Sequence, residues 1–189
     1  MIRTRDYLHR QKEALFRKHP DLRGLRIVAV REAGWDHRRA SDFIESCWRD
    51  YYGAEESRVV FSPEFLEWQF PELHGICVLD RDGRQVGCIL TVLRACRRDG
   101  GAGLESFTFG SCLSILPDVR GRGIAQLMVL TVQEIDLENG RSFSCSYVDR
   151  RKNGSGSSYR IWGTRRSRAY SHIPVPLLAK AFDWRKSQK

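Results

Sequence analysis

The stretch Leu113-Ser114-Ile115-Leu116-Pro117-Asp118-Val119-Arg120-Gly121-Arg122-Gly123-Ile124-Ala125 decides how this chain is read. An apolar run is stopped by a proline, passes two closely spaced glycines, and enters a segment in which Ile124, Leu127, Met128 and Ile135 share one helical stripe. A strand that turns through glycines into a helix presents the helix's first unpaired N–H groups and the positive end of its dipole. Glycine lets that backbone approach a pyrophosphate without a side-chain clash, and Arg120 and Arg122 add charge beside it. A glycine pair alone also fits a plain tight turn. The lysine of a P-loop is missing, and the spacing is not that of a dinucleotide-binding turn.

Working outward, Leu104 to Leu116 reads as a long strand interrupted by Gly110, where a bulge or a close backbone approach is expected. Before it, Ile76–Leu79 and Gln85–Leu93 form a hairpin around Asp80-Arg81-Asp82-Gly83, and Arg97 to Gly103 is a polar loop. Leu25 to Val30 is a strand. Asp36 caps a helix to about Tyr51 with Phe43, Ile44, Cys47 and Trp48 inward, and Ser62-Pro63-Glu64 starts a short helix carrying Phe65, Leu66 and Trp68. Arg5 to Lys18 is a basic helix with Tyr7, Leu8, Leu15 and Phe16 on a loose stripe. Downstream, the pattern predicts a helix over Gly123–Glu138, a strand over Ser142–Val148, a short helix over Ser155–Trp162, a strand over Arg168–Val175 and a terminal helix over Leu177–Phe182. The class is therefore α/β (α+β), with residues 1–24 as a basic N-terminal helix and 25–189 as one domain.

Bulk properties bound the function. The 189 residues suit a single core. No apolar run approaches the roughly 20 residues needed to span a bilayer, and the charged N-terminus lacks a signal-peptide core, so a soluble, cytoplasmic protein is expected. Six cysteines (Cys47, Cys77, Cys88, Cys96, Cys112 and Cys145) form no CxxC pair and sit mostly in apolar stretches, which predicts buried reduced thiols and no metal site. The formal charge of +9 makes polyanions plausible partners, either nucleic acid or a cofactor with several phosphates.

The same residues resemble the GNAT superfamily of acyl-CoA-dependent N-acyltransferases. Its pattern is Arg or Gln, two residues, Gly, one residue, then Gly or Ala, and Arg120, Gly123 and Ala125 fill it. The lead-in Ile115-x-Pro117 and the pair Leu127-Met128 are also typical. Val78 to Gly87 looks like the family's second and third strands, and Tyr159-Arg160-Ile161-Trp162-Gly163 looks like its Tyr-x-x-x-Gly element, with Ser155 at the preceding small position. The likeness covers roughly Leu25 to Ile173. It implies a mixed, mostly antiparallel sheet of six to seven strands flanked by helices. The co-substrate would be acetyl-CoA or another acyl-CoA, with no metal.

The resemblance assigns roles residue by residue. Leu113, Ser114 and Ile115 would meet the pantetheine amides, and one backbone N–H there would polarise the thioester carbonyl. Arg120, Gly121, Arg122, Gly123, Ile124 and Ala125 would cradle the pyrophosphate, and Tyr159 would protonate the departing thiolate. Asn153 lies near the family's pantetheine-binding Asn, one residue short of the usual spacing to Tyr159. Relatives often carry a carboxylate in mid-strand; here Ser106 to Ser111 has none. Glu105 is the nearest acid, Asp149 and His172 are alternatives as base, and some relatives use water alone. Trp48, Tyr51, Tyr52, Trp68 and Phe70 fall where the resemblance puts the acceptor cleft, although packing explains most of them. The acceptor would be an amine on a small molecule or a peptide, and a homodimer is compatible. The competing reading is a non-catalytic module of the same fold that binds RNA or another anion through the basic tract Arg150, Arg151, Lys152, Arg160, Arg165, Arg166 and Arg168. A transferase for longer acyl chains, or a sheet completed by a partner chain, also remain open.

Overall fold

The computed structural model describes residues 5–49, 60–97, 104–141 and 144–146. In chain order these form α1 (Arg5–Lys18), a 3-10 turn over Pro20–Gly24, β1 (Arg26–Ala29), α2 (His37–Trp48), α3 (Pro63–Gln69), β2 (His74–Leu79) and β3 (Gln85–Arg97). β4 (Leu104–Ile115), a 3-10 turn over Pro117–Val119, α4 (Ile124–Glu138) and β5 (Ser144–Ser146) follow. Asp36 and Ser62 cap α2 and α3 as their sequence positions predict, each accepting a bond from a backbone N–H three residues on.

The sheet runs in the order β1-β2-β3-β4-β5. The first three pairings are antiparallel and β4–β5 is parallel, over Thr108↔Ser144 to Gly110↔Ser146. The sheet is thus mixed and mostly antiparallel. Five strands lie among the described residues, against the six to seven expected; the expected strand over Arg168–Val175 lies outside them.

Strand alternation divides the core in two. Ile76 and Val78 face α1 and α4, packing with Leu8, Leu15, Ile124, Leu127 and Met128. Cys77, Cys88 and Leu90 face α2 and α3, packing with Val30, Ile44, Leu66 and Phe70. Each fully buried large side chain contributes about 1.5–3 kcal/mol, so both faces anchor the sheet. α1 is part of this core rather than an appendage: Leu8 and Leu15 are buried, and Lys12 pairs with Glu134 of α4.

Ile135 shares the helical stripe and is 37% exposed, lining a cleft of about 510 Å³ between α4 and the sheet. Phe43 and Trp48 are half-buried and pack inward against the α2–α3 core as expected, whereas Trp68 is 77% exposed rather than packed. The β4 bulge does not fall at Gly110, which pairs regularly with Thr91 on one side and Ser146 on the other. It falls two residues later. Among the described residues, no helix is long and apolar enough to cross a membrane.

Candidate functional site

Between β3 and β4, Cys88 pairs with Ser114 but Leu90 pairs with Ser111, so Cys112 and Leu113 of β4 together face the single residue Ile89. This extra residue bends the strand away from its ladder. Cys112 takes a φ of 55°, the one positive φ among described residues other than glycine. A left-handed conformation costs a residue with a Cβ about 1–2 kcal/mol, so the surroundings must hold it. The Cys112 carbonyl accepts from Ser114 Oγ at 3.1 Å and from Cys88 Sγ at 3.8 Å. Trp48 Nε1 in turn donates to Ser114 Oγ at 2.8 Å.

Beyond the bulge, the Leu116 N–H bonds Val86 O at 3.1 Å and closes the strand. The Pro117–Val119 turn then leads to Gly121 at φ 77° and Gly123 at φ 84°, both left-handed. Gly123 is the N-cap of α4, and no side chain caps the helix. Among the described residues, no side chain accepts from the N–H groups of its first turn, and the helix dipole adds positive potential there. The two glycines differ in surroundings. A Cβ on Gly121 would meet nothing within 4 Å, whereas one on Gly123 would lie 3.0 Å from His19 Cδ2 and 3.2 Å from methyls of Leu15 and Leu22. The loop is open at Gly121 and backed by α1 and its following turn at Gly123. An open backbone cradle with an uncapped helix start fits a pyrophosphate.

One of the two arginines is arranged differently from expectation. Arg120 does not extend its guanidinium from the loop. Nε donates to Ile115 O at 3.1 Å, Nη2 donates to Cys47 O, and the guanidinium carbon lies 5.2 Å from the Trp48 ring centre. Arg122 is exposed and donates to Asp118 O at 3.1 Å. Asp118, which would oppose an anion here, pairs with Arg84 at 2.8 Å, and that guanidinium holds its carboxyl below the usual range. Of the other expected contacts, Ser114 and Ile124 are buried, while Leu113, Ile115 and Ala125 are half-buried.

Glu105 is not brought to this site. It sits at the opposite end of β4, and seven residues at about 3.3 Å each put it roughly 23 Å from Cys112. Trp48 reaches the bulge; Phe70 is fully buried core and Trp68 projects from α3. Tyr159, Asn153, Asp149, His172, Tyr51, Tyr52 and the basic tract lie outside the described residues.

Cys47, Cys77, Cys88 and Cys112 are poorly suited to thiol chemistry. Cys47, Cys77, Cys88 and Cys112 are unbridged, as expected of core thiols. Burial pushes Cys47 and Cys112 up to about 11 and Cys77 up to about 12, and raises Cys88 well above the ordinary thiol value. A protonated, buried thiol is a poor nucleophile. Among the described residues there is no group of three or more His, Cys, Asp or Glu that could hold a metal ion.

No protein-family model matches the sequence, and no curated protein matches it. Solved structures do. A GCN5-related N-acetyltransferase from Ralstonia eutropha JMP134 aligns at 13% identity and TM-score 0.55 over 80% of this chain and 99% of that one. The aminoglycoside N-acetyltransferase AAC(6')-Iy, solved with CoA, aligns at 15% identity and TM-score 0.51 over 80% and 95%. An aminoglycoside acetyltransferase from an uncultured soil metagenomic sample, solved with sisomicin, aligns at 11% identity and TM-score 0.51 over 82% and 97%. At these identities the likeness defines the fold. The chain has the fold of the GCN5-related N-acetyltransferases, and its bulged strand and glycine loop lie in one continuous segment of that fold.

Proposed function

We propose that this protein is an acyl-CoA-dependent N-acyltransferase that moves an acetyl group from acetyl-CoA to an amine by direct attack. The observation that carries the reading is the run from a bulge at Cys112 into the left-handed glycines at positions 121 and 123 and the uncapped start of α4. A bulge leaves strand backbone outside the ladder, where it can bond pantetheine and a developing oxyanion. The loop offers N–H groups to the pyrophosphate. AAC(6')-Iy, of the same fold, was solved with CoA, which supports the choice of co-substrate.

In this mechanism the amine nitrogen attacks the thioester carbon, the carbon–sulfur bond breaks, and CoA leaves as a thiol. The attacking nitrogen loses a proton to water or to a base, and the sulfur gains one, with Tyr159 as our proposed donor. Raised thiol pKa values favour direct attack over an acyl-cysteine route through Cys47 or Cys112. Asn153 is proposed as a pantetheine contact. The remote position of Glu105 leaves water, Asp149 or His172 as the proton acceptor to test.

The alternative, a module that binds RNA through residues 150–168, draws on the absence of a mid-strand carboxylate between Ser106 and Ser111. Thermal-shift titrations with CoA, acetyl-CoA and longer acyl-CoAs, followed by thiol-release assays with polyamine and aminoglycoside acceptors, separate the two. Stabilisation by CoA and amine-dependent thiol release are expected. Salt-sensitive RNA binding with no response to any CoA would overturn the enzyme reading.

A further inference from the structure

We propose that Trp48 and Arg120 are positioning residues for the β4 bulge, acting through Ser114 and the carbonyls of Ile115 and Cys47 to hold the backbone at Cys112 and Leu113 ready for a thioester carbonyl. The inference rests on the acyl-CoA reading and adds a brace from α2 that the glycine loop does not supply.

Hydrogen-bond chemistry fixes the direction of this network. An indole N–H can only donate, so Ser114 Oγ accepts from Trp48 at 2.8 Å. The hydroxyl's own hydrogen is then directed to the Cys112 carbonyl at 3.1 Å. Ser114 has no exposed surface, so water does not compete for either bond. The chain Trp48 to Ser114 to Cys112 ends on the one non-glycine residue in the described region with a left-handed backbone, the position that most needs an external hold.

Arg120 closes the network from the other side. Its guanidinium joins the last residue of β4 to the last turn of α2 by bonding the carbonyls of Ile115 and Cys47. Carbonyls in a helix's last turn lack intrahelical partners, and the negative end of the dipole favours a cation there. The same guanidinium lies over the Trp48 ring, keeping the indole in place. Arg120 also immediately precedes Gly121, so the cation that braces the bulge begins the phosphate loop. A planar fork suits two divergent carbonyls better than a lysine ammonium does.

The brace touches the end of the site where the acyl carbonyl would lie, not the pyrophosphate cradle. Its loss should therefore separate two ligands that share every group except the acyl carbonyl. The experiment is calorimetric titration of the full chain with CoA and with acetyl-CoA, for the wild type, Trp48→Phe, Ser114→Ala, the double variant and Glu67→Gln. Trp48→Phe keeps the ring and removes the N–H. Ser114→Ala removes one oxygen and keeps the test open should Trp48→Phe fail to fold. Each single variant should bind acetyl-CoA about five-fold more weakly while its CoA affinity changes by less than about two-fold. The double variant should be no worse than the stronger single one, because both remove the same chain of bonds. Glu67→Gln, on the exposed side of α3, should match the wild type. Equal losses for both ligands, or no loss for either, would overturn the brace and leave the acyl-CoA reading standing. A wild type that binds neither ligand would overturn both.

Discussion

At its C-terminal end, β4 carries a bulge, a left-handed Cys112 and a turn into two left-handed glycines. At its N-terminal half, the same strand runs in regular register with β3 from Leu104 to Ser111, and Thr108 joins a buried network at the wall of the cleft, in which Asp136 Oδ2 alone has no partner among the described residues. There Thr108 Oγ1 donates to Asp136 Oδ1 at 2.5 Å, and Arg141 Nη1 donates to Asp136 Oδ1 at 2.9 Å and to Thr108 at 3.3 Å. Asp136 is 4% exposed and Thr108 2%. One end joins its polar side chains into a network that fixes α4 to the sheet. The other bends backbone out of the ladder and leaves a helix start uncapped. The difference separates stability from chemistry along a single strand, and changes at the two ends should have different consequences.

The largest effect is expected from Gly121→Asp. The position faces open space and has φ 77°, which Asp tolerates better than most residues. A carboxylate there would repel a pyrophosphate. CoA affinity should fall by about 100-fold, some 2.7 kcal/mol, with the thermal midpoint little changed. Gly123 is a poorer probe, because its Cβ would press on His19, Leu15 and Leu22 and mix packing with binding. Asp136→Ala should do the reverse. It deprives the buried Thr108 hydroxyl and the mostly buried Arg141 of their acceptor and should cost about 2–3 kcal/mol in urea unfolding, with CoA affinity unchanged. The smallest effect belongs to Glu105→Gln. At roughly 23 Å from the bulge along the strand, it should leave the acyl-transfer rate and its pH profile within about two-fold of wild type. A collapse of the rate with a flattened basic limb would break the comparison by making the N-terminal end catalytic.

Much of this arrangement was legible in the residues. Asp36 and Ser62 announce their helices because a side-chain oxygen three residues before an N–H is a local feature. The glycine loop is legible for the same reason, since Gly121 and Gly123 mark a backbone that side chains would obstruct. Gly110 fits either a bulge or a close backbone approach, and the bulge lies elsewhere, because a glycine alone does not set it. Its site at Cys112 is held by Cys88 and Ser114, and through Ser114 by Trp48, 66 residues away from that serine in the sequence. The motif position of Arg120 suggests a phosphate contact; its inward turn depends on an α2 carbonyl that no local pattern reveals. Ile135 fits the stripe, but the stripe does not show that a cleft opens between this turn of α4 and the sheet.

The central claim is that the loop from Arg120 to Ala125 holds the pyrophosphate of CoA. Titrating CoA into ¹⁵N-labelled protein and following the backbone amides tests it most directly. The largest shifts are expected at Gly121, Gly123, Ile124 and Ala125, with a second set at Leu113 and Ile115, and little change at Glu105 or Asp136. Shifts confined to other elements, or none at saturating CoA, would contradict it.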